Sequence, residues 1–509
     1  MVLPPEDTGR NKLSRKSQKK ALERALQTSR QRQAKASKKK QSKKKNPSSL
    51  PVAKRGGFPI HNAPSAIEQL EHVNLNAAGI DLASTVHVAA VPEGRDPESS
   101  VRSFGTFTAD LEGLADWLST CGITTVAMES TGVYWIPLYE LLQRRGFEVL
   151  LVNATEIKKF RRKSDVLDCQ WIQTLHTFGL LRGSFRPADK ILEFRNYMRH
   201  RDNLVKSMGD HVRRMQKSLQ QMNLKLTEVI SDITGVTGMR ILNAILRGER
   251  DPHQLAKLRD ERCKNDETTI ALALQGNWRE EHLYSLGQSL ELYEIYREKL
   301  SDLDKRIEAY LNTLEDQSDG KKLERPQQKK RTPNEPSFDT RNMLYRLTGV
   351  DLTSIDGISG HSGLQLISEI GTDMSAWPTE KHFVSWLCLC PEVHSSGGRR
   401  SKNSRTHPSS NRAAATLRMC AQSLFRSQCA LGAFGRRLRA KKGGAVAVTA
   451  MARKLAVIIY NMIKYGRAYV DRGEKYYEQQ YHQRVIKHLR RRAASLGFSL
   501  TPTTECVAP

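Results

Sequence analysis

Residues 76–84 read NAAGIDLAS, a short apolar run that carries one carboxylate, Asp81, near its centre. Two more short runs follow closely, TVHVAAV at 85–91 and VRSFGTF at 101–107. Glycine, proline, aspartate or serine bounds each run, and such boundaries are typical of strands joined by short turns. The three runs therefore predict an antiparallel meander.

Helical and strand patterns alternate after this meander. DLEGLADWLSTCG (110–122) is helical in pattern, and TTVAME (124–129) is typical of a buried strand. A helix through WIPLYELLQRRG (135–146) precedes a second apolar strand, FEVLLVN (147–153), and a helical stretch containing KSDVLDCQWIQTLHTFGLL (163–181) completes the series. The order βββαβαβα is that of RNase H-like nucleases, an analogy of fold that does not by itself fix function.

Four carboxylates in this region are candidate metal ligands. Asp81 lies within an apolar strand, where a carboxylate is costly to bury unless a cation neutralises it. Glu129 ends the strand before a turn. Asp165 and Asp168 are spaced i, i+3, which places them on one face of a helix. Such oxygen ligands suit Mg²⁺ or Mn²⁺ and phosphoryl transfer, although any one of these acids alone is more often a cap, a turn residue or solvated.

The charge of the chain indicates a polyanionic partner. The formal net charge is +28 over 509 residues, and an excess of Lys and Arg gains affinity for nucleic acid by releasing phosphate counterions. Residues 1–57 hold 18 Lys/Arg against 3 Asp/Glu, so they carry more than half of this excess. We expect a disordered basic arm there, with a generic solubilising tail as the alternative.

The length and composition of the chain also indicate how many domains it has and where in the cell it is expected. A chain of 509 residues leaves room for two or three hydrophobic cores. It has no run of 18 apolar residues and no secretory signal pattern at its start, so we expect a cytoplasmic protein without a membrane partner. The eight cysteines form no CxxC pair, and we expect them to be reduced and mostly buried.

Two segments in the middle of the chain have long helical stripes of apolar residues. Apolar residues recur at steps of four and three along residues 192–230, and residues 283–314 show the same helical spacing. The two segments predict a helical region at 188–315, either an antiparallel coiled coil or dimer seam, or equally a plain intramolecular helix hairpin.

A second globular region is predicted after a polar linker at 316–338. Residues 340–475 are mainly α-helical in pattern, with a hairpin-like stretch SIDGISGHSGLQLISEIG at 354–371. Residues 476–509 are predicted to be a frayed basic tail. The fold class is thus α/β plus α: an RNase H-like (RuvC-like) mixed-sheet domain at 76–185, the helical middle, and the helical carboxy-terminal region.

The sequence resembles the DEDD transposases of insertion-sequence family one-ten, the bridge-RNA-guided recombinases. The motifs GIDLAS, AMESTGVYW and RRKSDVLDCQWIQTLHTFGLLRGSFRP carry the resemblance in the first region. In the second region LTSIDGISG, PEVHSSGGR, NRAAATLRMCAQSL, LGAFGRRLRAKKG and AMARKLAVIIYNMIKYGRAYVD are similar to the family's carboxy-terminal transposase domain. The similarity covers about residues 76–185 and 345–475.

This resemblance implies a serine nucleophile. The family's serine precedes a glycine a few residues after a proline, and PEVHSSGG at 391–398 supplies Ser396, with Ser395 as the second candidate. Without the family, this segment is a flexible turn next to three cations that suit backbone phosphate, Arg399, Arg400 and Lys402. A second basic group, Arg161, Arg162 and Lys163, precedes Asp165 and is a candidate phosphate contact or a solvated helix start.

The resemblance also implies the mechanism and the partners. The acidic domain and the serine-bearing domain would meet on the scissile phosphate in a homo-oligomer, a dimer or tetramer, and form a covalent serine–DNA intermediate with Mg²⁺ or Mn²⁺. A structured guide RNA would read the DNA sequence while the protein grips backbone and shape. The expected location is the bacterial cytoplasm, at the nucleoid.

Two other functions remain open on the sequence. One is a metal-dependent junction-resolving endonuclease in which the acids activate water and Ser396 only shapes a loop. The other is a non-enzymatic nucleic-acid-binding protein.

Two positions depart from the family's usual pattern. Cys388 stands where the family commonly has glycine, and Ser359 replaces the second glycine of a Gly-Ile-Gly hairpin at Gly357. We expect the first to alter packing near Ser396 and the second to weaken a hairpin that offers amides to phosphate.

Overall fold

The computed structural model describes residues 71–130, 132–153, 165–323, 334–391, 395–396, 399–400 and 406–501. The chain divides into two compact units, residues 1–182 and residues 183–509. The predicted basic arm, residues 1–57, lies outside the described residues.

The first unit is a five-stranded mixed sheet flanked by helices. Its strands are β1 (Ala77–Leu82), β2 (His87–Ala90), β3 (Val101–Phe104), β4 (Thr125–Glu129) and β5 (Glu148–Val152), and its helices are α1 (Thr108–Thr120), α2 (Trp135–Arg144) and α3 (Asp165–Thr177). The sheet order is β3-β2-β1-β4-β5, antiparallel in the first two pairs and parallel in the last two. The predicted meander and element order are confirmed, and the sheet is consistent with an RNase H-like domain.

Different helices cover the two faces of this sheet. Ile80 and Met128 lie in the core that packs against α1 and α2. Ala127 lies on the opposite face, where it packs with Ile172 of α3. Because side chains alternate along a strand, Gly79 lies on the same face as Ala127, the face that α3 covers.

Helix α3 lies against β1 at Gly79 with no room for a side chain between them. A Cβ atom on Gly79 would lie 2.2 Å from the backbone nitrogen of Gln173 and 2.4 Å from the carbonyl oxygen of Cys169. Both neighbours are backbone atoms, so only a movement of α3 would make room. Gly79 therefore sets the distance between the strand that carries Asp81 and the helix that carries Asp168.

The second unit begins with a helix hairpin and four short helices at its tip. In chain order the helices are α4 (Asp189–Gln221), α5 (Leu226–Val229), α6 (Val236–Leu246), α7 (Pro252–Ala256), α8 (Glu267–Ala273) and α9 (Glu280–Asn312). The two long helices are antiparallel: the Tyr310 hydroxyl donates to the carbonyl of Lys190 at 2.8 Å, whereas the His211 ring stacks on Tyr296 at 5.5 Å.

The hairpin is an intramolecular pairing of the two predicted apolar stripes, and a coiled coil is not confirmed. Residues of both stripes also pack against the short helices at the tip, as Met215 does in a core shared with Ile241. Helix α4 ends at Gln221 rather than at 230, because Asn223 turns the chain with a φ of +56°.

A buried ion pair joins the two long helices. Arg201 Nε lies 2.6 Å from Asp304 Oδ1, and both side chains are almost fully buried. The backbone N–H of Ser337 donates to the other carboxylate oxygen at 3.0 Å. Burial, together with the nearby charge of Arg201, lowers the pKa of His361 to about 4, so this ring is neutral beside the guanidinium.

The rest of the second unit is helical, as predicted. Its helices are α10 (Thr340–Thr348), α11 (Gly360–Ile370), α12 (Glu380–Trp386), α13 (Arg412–Ser423), α14 (Ala430–Lys442), α15 (Gly444–Tyr465) and α16 (Gly473–Ser495), with 3₁₀ turns at Leu352–Ser354 and Leu424–Arg426 and a two-residue strand pair, β6 (Ser395–Ser396) and β7 (Arg399–Arg400). One hydrophobic core spans the base of the hairpin and helices α10 to α15, from Phe194 to Met462. The predicted tail from residue 476 is helical as far as Ser495.

The hairpin predicted at 354–371 is wrong, because α11 occupies most of this segment. The Ser359 hydroxyl accepts from the N–H of Ser362 at 3.1 Å, and the Ser362 hydroxyl accepts from the N–H of Ser359 at 2.9 Å. This reciprocal pair is a capping box, which stabilises the first turn of a helix. The serine that departs from the family pattern therefore begins a helix.

Within the described residues, α15 is the one helix long and apolar enough to cross a membrane by length and composition. Met451, Leu455 and Ile459 are fully buried in the core of the second unit. The Tyr460 hydroxyl donates to the carbonyl of Trp377 at 2.8 Å. These contacts are typical of the central helix of a packed domain.

Helix α12 ends in a Schellman motif at Cys388. The N–H of Cys388 donates to Ser385 O at 2.9 Å, and the N–H of Leu389 donates to Val384 O at 3.1 Å. Cys388 has a φ of +53°, in the left-handed region that favours glycine. Glycine, the residue that the family commonly has here, would adopt this left-handed conformation without strain, whereas cysteine is strained in it.

Replacing Gly79 by alanine is expected to destabilise the first unit by about 2–3 kcal/mol, because the added methyl group overpacks β1 against the backbone of α3. Chemical denaturation of the full chain measures this loss. Gly113→Ala is the matched control, since a Cβ atom there meets nothing within 4 Å and alanine favours helix α1 by about 0.5–1 kcal/mol. Equal stabilities of the two variants would contradict the assigned contact.

Replacing Cys388 by glycine is expected to raise the free energy of unfolding by about 1 kcal/mol, because it removes the left-handed strain. Cys390 has no positive φ, so Cys390→Gly is expected to lower stability by about 0.5–1 kcal/mol through the entropy of the unfolded chain. Thermal melting of both variants tests the sign of each effect.

Candidate metal and nucleic-acid site

Asp81 and Glu129 lie side by side on neighbouring parallel strands. The pair Ile80 and Met128 is the last in the register of β1 and β4, and the two acids follow it directly. They share the face of Gly79, which α3 covers, and both are partly buried. This register brings two carboxylates together at the carboxyl end of the sheet.

Asp168 approaches the same site from α3. It precedes Cys169, whose carbonyl lies against Gly79 of β1. Burial raises the pKa of the Cys169 thiol to about 11, and the negative charges of Asp81 and Asp168 add to this increase. Both carboxylates therefore act electrostatically on one thiol, which stays protonated and neutral near pH 7.

The donor set at this place fits Mg²⁺ or Mn²⁺. The carboxylates of Asp81, Glu129 and Asp168 supply the oxygen ligands that these hard cations prefer. The neighbouring Cys169 side chain is fully buried, and burial raises the pKa of its thiol to about 11. Asp165 begins α3, but its side chain lies outside the described residues, as do Arg161, Arg162 and Lys163.

The serine segment forms a small antiparallel strand pair. Ser396 pairs with Arg399, and Ser395 pairs with Arg400. An isolated bridge between Pro391 and Thr406 holds the two ends of the segment together. The side chains of these serines and arginines, and all of Lys402, lie outside the described residues.

A second group of potential metal ligands was not predicted from the sequence. One ligand atom each from Asp356, Cys429 and Asp471 lies within 4.8 Å of the others. Ser427 Oγ donates to Asp356 at 2.9 Å, and the N–H of Ala430 donates to Asp471 at 3.2 Å. These residues are far apart in the sequence and follow no spacing that signals a site.

None of the seven cysteines in the described part of the chain is in a disulfide, as predicted. Four of them are buried: Cys121, Cys169, Cys420 and Cys429. Cys506 lies outside the described residues.

Two family models match the chain. Residues 78–224, which contain the acidic site, match a model of the DEDD transposases of the IS110 group, described as Transposase. Residues 351–434, which contain the serine segment, match the model described as Transposase IS116/IS110/IS902 family. A search of curated proteins found no match. The two matches support an IS110-family transposase, a class of enzyme that cleaves and joins DNA.

Proposed function

We propose that this protein is an RNA-guided DNA transposase that cuts and rejoins the ends of its own insertion sequence through a serine–DNA intermediate. The observation that carries the proposal is the adjacency of Asp81 and Glu129 in the register of β1 and β4, with Asp168 brought to them by the contact of α3 at Gly79. The transposase matches of both regions agree with it.

Asp81, Glu129, Asp165 and Asp168 would hold divalent metal. When bound, Mg²⁺ or Mn²⁺ supplies charge stabilisation for phosphoryl transfer. The packed elements β1, β4 and α3 hold three of these carboxylates in place, and the neighbouring thiol of Cys169 has a raised pKa. The site is therefore preorganised by backbone contacts rather than by flexible loops.

Ser396 is the proposed nucleophile, with Ser395 as the second candidate. Its hydroxyl oxygen would bond to the scissile phosphorus while the bond from phosphorus to the 3′ oxygen breaks, and the serine proton would pass, directly or through water, to the departing 3′ oxygen, which leaves as a free hydroxyl. One phosphodiester is replaced by another, between the serine and the 5′ phosphate of the DNA, so a 3′ hydroxyl of another strand can displace the serine without an external energy source. Two cationic residues, Arg399 and Arg400, form the strand that pairs with the serines.

The basic charge and the transposase matches support a DNA partner. DNA is the substrate, and a structured guide RNA would supply sequence readout. Helix α16 buries none of its residues and carries Arg484, Lys487 and the run Arg490–Arg492, which suits contact with phosphate backbones. We expect a homo-oligomer, a dimer or tetramer, in the bacterial cytoplasm at the nucleoid.

Two other functions give different outcomes in the same assays. A junction-resolving endonuclease would use the acids alone to hydrolyse DNA. A non-enzymatic nucleic-acid-binding protein would bind DNA and RNA without cutting either. Sequencing the RNA that copurifies with the protein separates guidance from nonspecific binding: an RNA matching the DNA that flanks its gene supports guidance, and a random cellular mixture contradicts it.

Asp168→Asn is expected to weaken Mn²⁺ binding by at least about tenfold, because it removes one anionic ligand. Isothermal titration calorimetry with Mn²⁺ measures this change in affinity. Asp116→Asn is the matched control: Asp116 is an exposed acid of α1, paired with Arg145 on the surface, and its loss should leave the affinity unchanged. An unaltered affinity in Asp168→Asn would place the metal elsewhere.

Ser396→Ala is expected to abolish the covalent protein–DNA adduct and strand exchange, while DNA binding persists. Denaturing electrophoresis of reactions on DNA carrying the element's own ends detects the adduct. Ser395→Ala is the matched control, and it should retain both. Strand exchange by Ser396→Ala would eliminate this serine as nucleophile, and DNA hydrolysis without any adduct in the wild type would favour the endonuclease.

A further inference from the structure

A cavity of about 370 Å³ in the second unit has three arginines and one acid in its lining. Its walls include Arg195 and Arg199 of α4, Arg412 at the start of α13, the single carboxylate of Glu369, and the Trp386 ring. None of these residues was selected from the sequence as part of a site. The lining therefore has an excess of positive charge.

The one acid in the cavity wall is already neutralised. Arg199 donates to both carboxylate oxygens of Glu369, at 2.9 Å and 2.8 Å, and Arg195 Nε lies 3.3 Å from one of them. Arg195 is further fixed by bonds to the carbonyl oxygens of Ser368, at 3.1 Å, and of Glu369, at 2.7 Å. Two guanidinium groups thus share one carboxylate.

This arrangement is electrostatically costly for the protein alone. Burial lowers the pKa of Arg195 to about 10, and repulsion from Arg199 and Arg186 opposes the partial compensation by Glu369. A bound anion would relieve this repulsion, since guanidinium groups match phosphate oxygens in geometry.

Arg412 provides a more accessible cation on the same cavity. Its side chain is 48% exposed, and the nearest carboxylate, Asp202, lies 3.9 Å away. It is the first residue of α13, whose Asn411 cap accepts from the N–H of Ala414 at 3.0 Å. The positive end of this helix adds to the attraction for an anion.

The cavity is built from the chain segments that flank the proposed nucleophile. Trp386 precedes Pro391 by a few residues, and Asn411 follows Thr406 by a few, while the Pro391–Thr406 bridge ties the base of the serine segment. Both walls thus adjoin the two ends of the serine segment in the chain, so a DNA strand bound by that segment would have this cavity as a neighbouring site. The partly buried Trp386 ring offers an apolar surface to a sugar or base.

We propose that this cavity binds a phosphate of the DNA strand on which the serine segment acts, with Arg195 and Arg412 as its main cations. This inference rests on the proposed function, because it takes the DNA strand as the occupant. It adds a positioning site that holds the strand in register with the nucleophile and does no chemistry itself.

The test compares the salt dependence of DNA binding in Arg412→Ala and in Arg297→Ala. Arg297 is an exposed arginine of α9 outside the cavity, so its removal matches the charge change. The probe is a labelled DNA duplex, with an RNA hairpin of similar length as a second arm. For DNA, the plot of log affinity against log salt has a negative slope, and in Arg412→Ala the magnitude of this slope is expected to decrease by about one. Arg412→Lys should restore most of the wild-type slope. Arg297→Ala should behave as the wild type.

Each outcome decides a different question. If the wild type binds DNA with a steep salt dependence and Arg412→Ala keeps the same slope, the phosphate site is wrong and the proposed function stands. A change confined to the RNA arm also overturns the proposal. If the wild type binds neither nucleic acid, the proposed function itself fails. Thermal melting shows whether Arg412→Ala is folded. Arg412→Glu is a second variant at this exposed position, and it should decrease the magnitude of the salt-dependence slope further than Arg412→Ala does.

Discussion

The close contact of β1 and α3 at Gly79 is the constraint on which the acidic site depends. With no side chain between them, the strand and the helix meet backbone to backbone, and the carboxylates of Asp81 and Asp168 approach from the two sides. The parallel register then adds Glu129 from β4. The register and the contact of α3 thus bring three acids to one place, and burial raises the pKa of the Cys169 thiol beside them. Such crowding is typical of sites that bind cations.

The second unit depends on a different buried interaction. Arg201 and Asp304 tie the two long helices near the base of the hairpin, where one hydrophobic core continues into the carboxy-terminal helices. Removing one partner of such a pair costs about 3–5 kcal/mol, because the other charge stays buried. The neutral ring of His361 lies beside the pair. The serine segment is therefore attached to a unit whose framework is fixed by this ion pair and by the core around it.

Local patterns predicted the first unit well, because each strand and helix there has its own boundaries and periodicity. The end of α4 was missed because the turn at Asn223 depends on a left-handed residue that apolar spacing does not reveal. Ser359 was expected to weaken a hairpin, and it caps a helix instead; the usual capping box has Glu or Gln where this chain has Ser362, so the sequence pattern gives only a weak signal. The arginine cavity could not be predicted, since Arg195 and Arg412 meet only through tertiary packing.

In the proposed function, Asp81, Glu129 and Asp168 form the metal site of a DNA-cleaving enzyme. Crystals of the full chain can be grown with Mn²⁺ and measured at the manganese absorption edge. Anomalous density is expected between these carboxylates, on the face of the sheet that α3 covers. Density only at the alternative group of Asp356, Cys429 and Asp471 would contradict it.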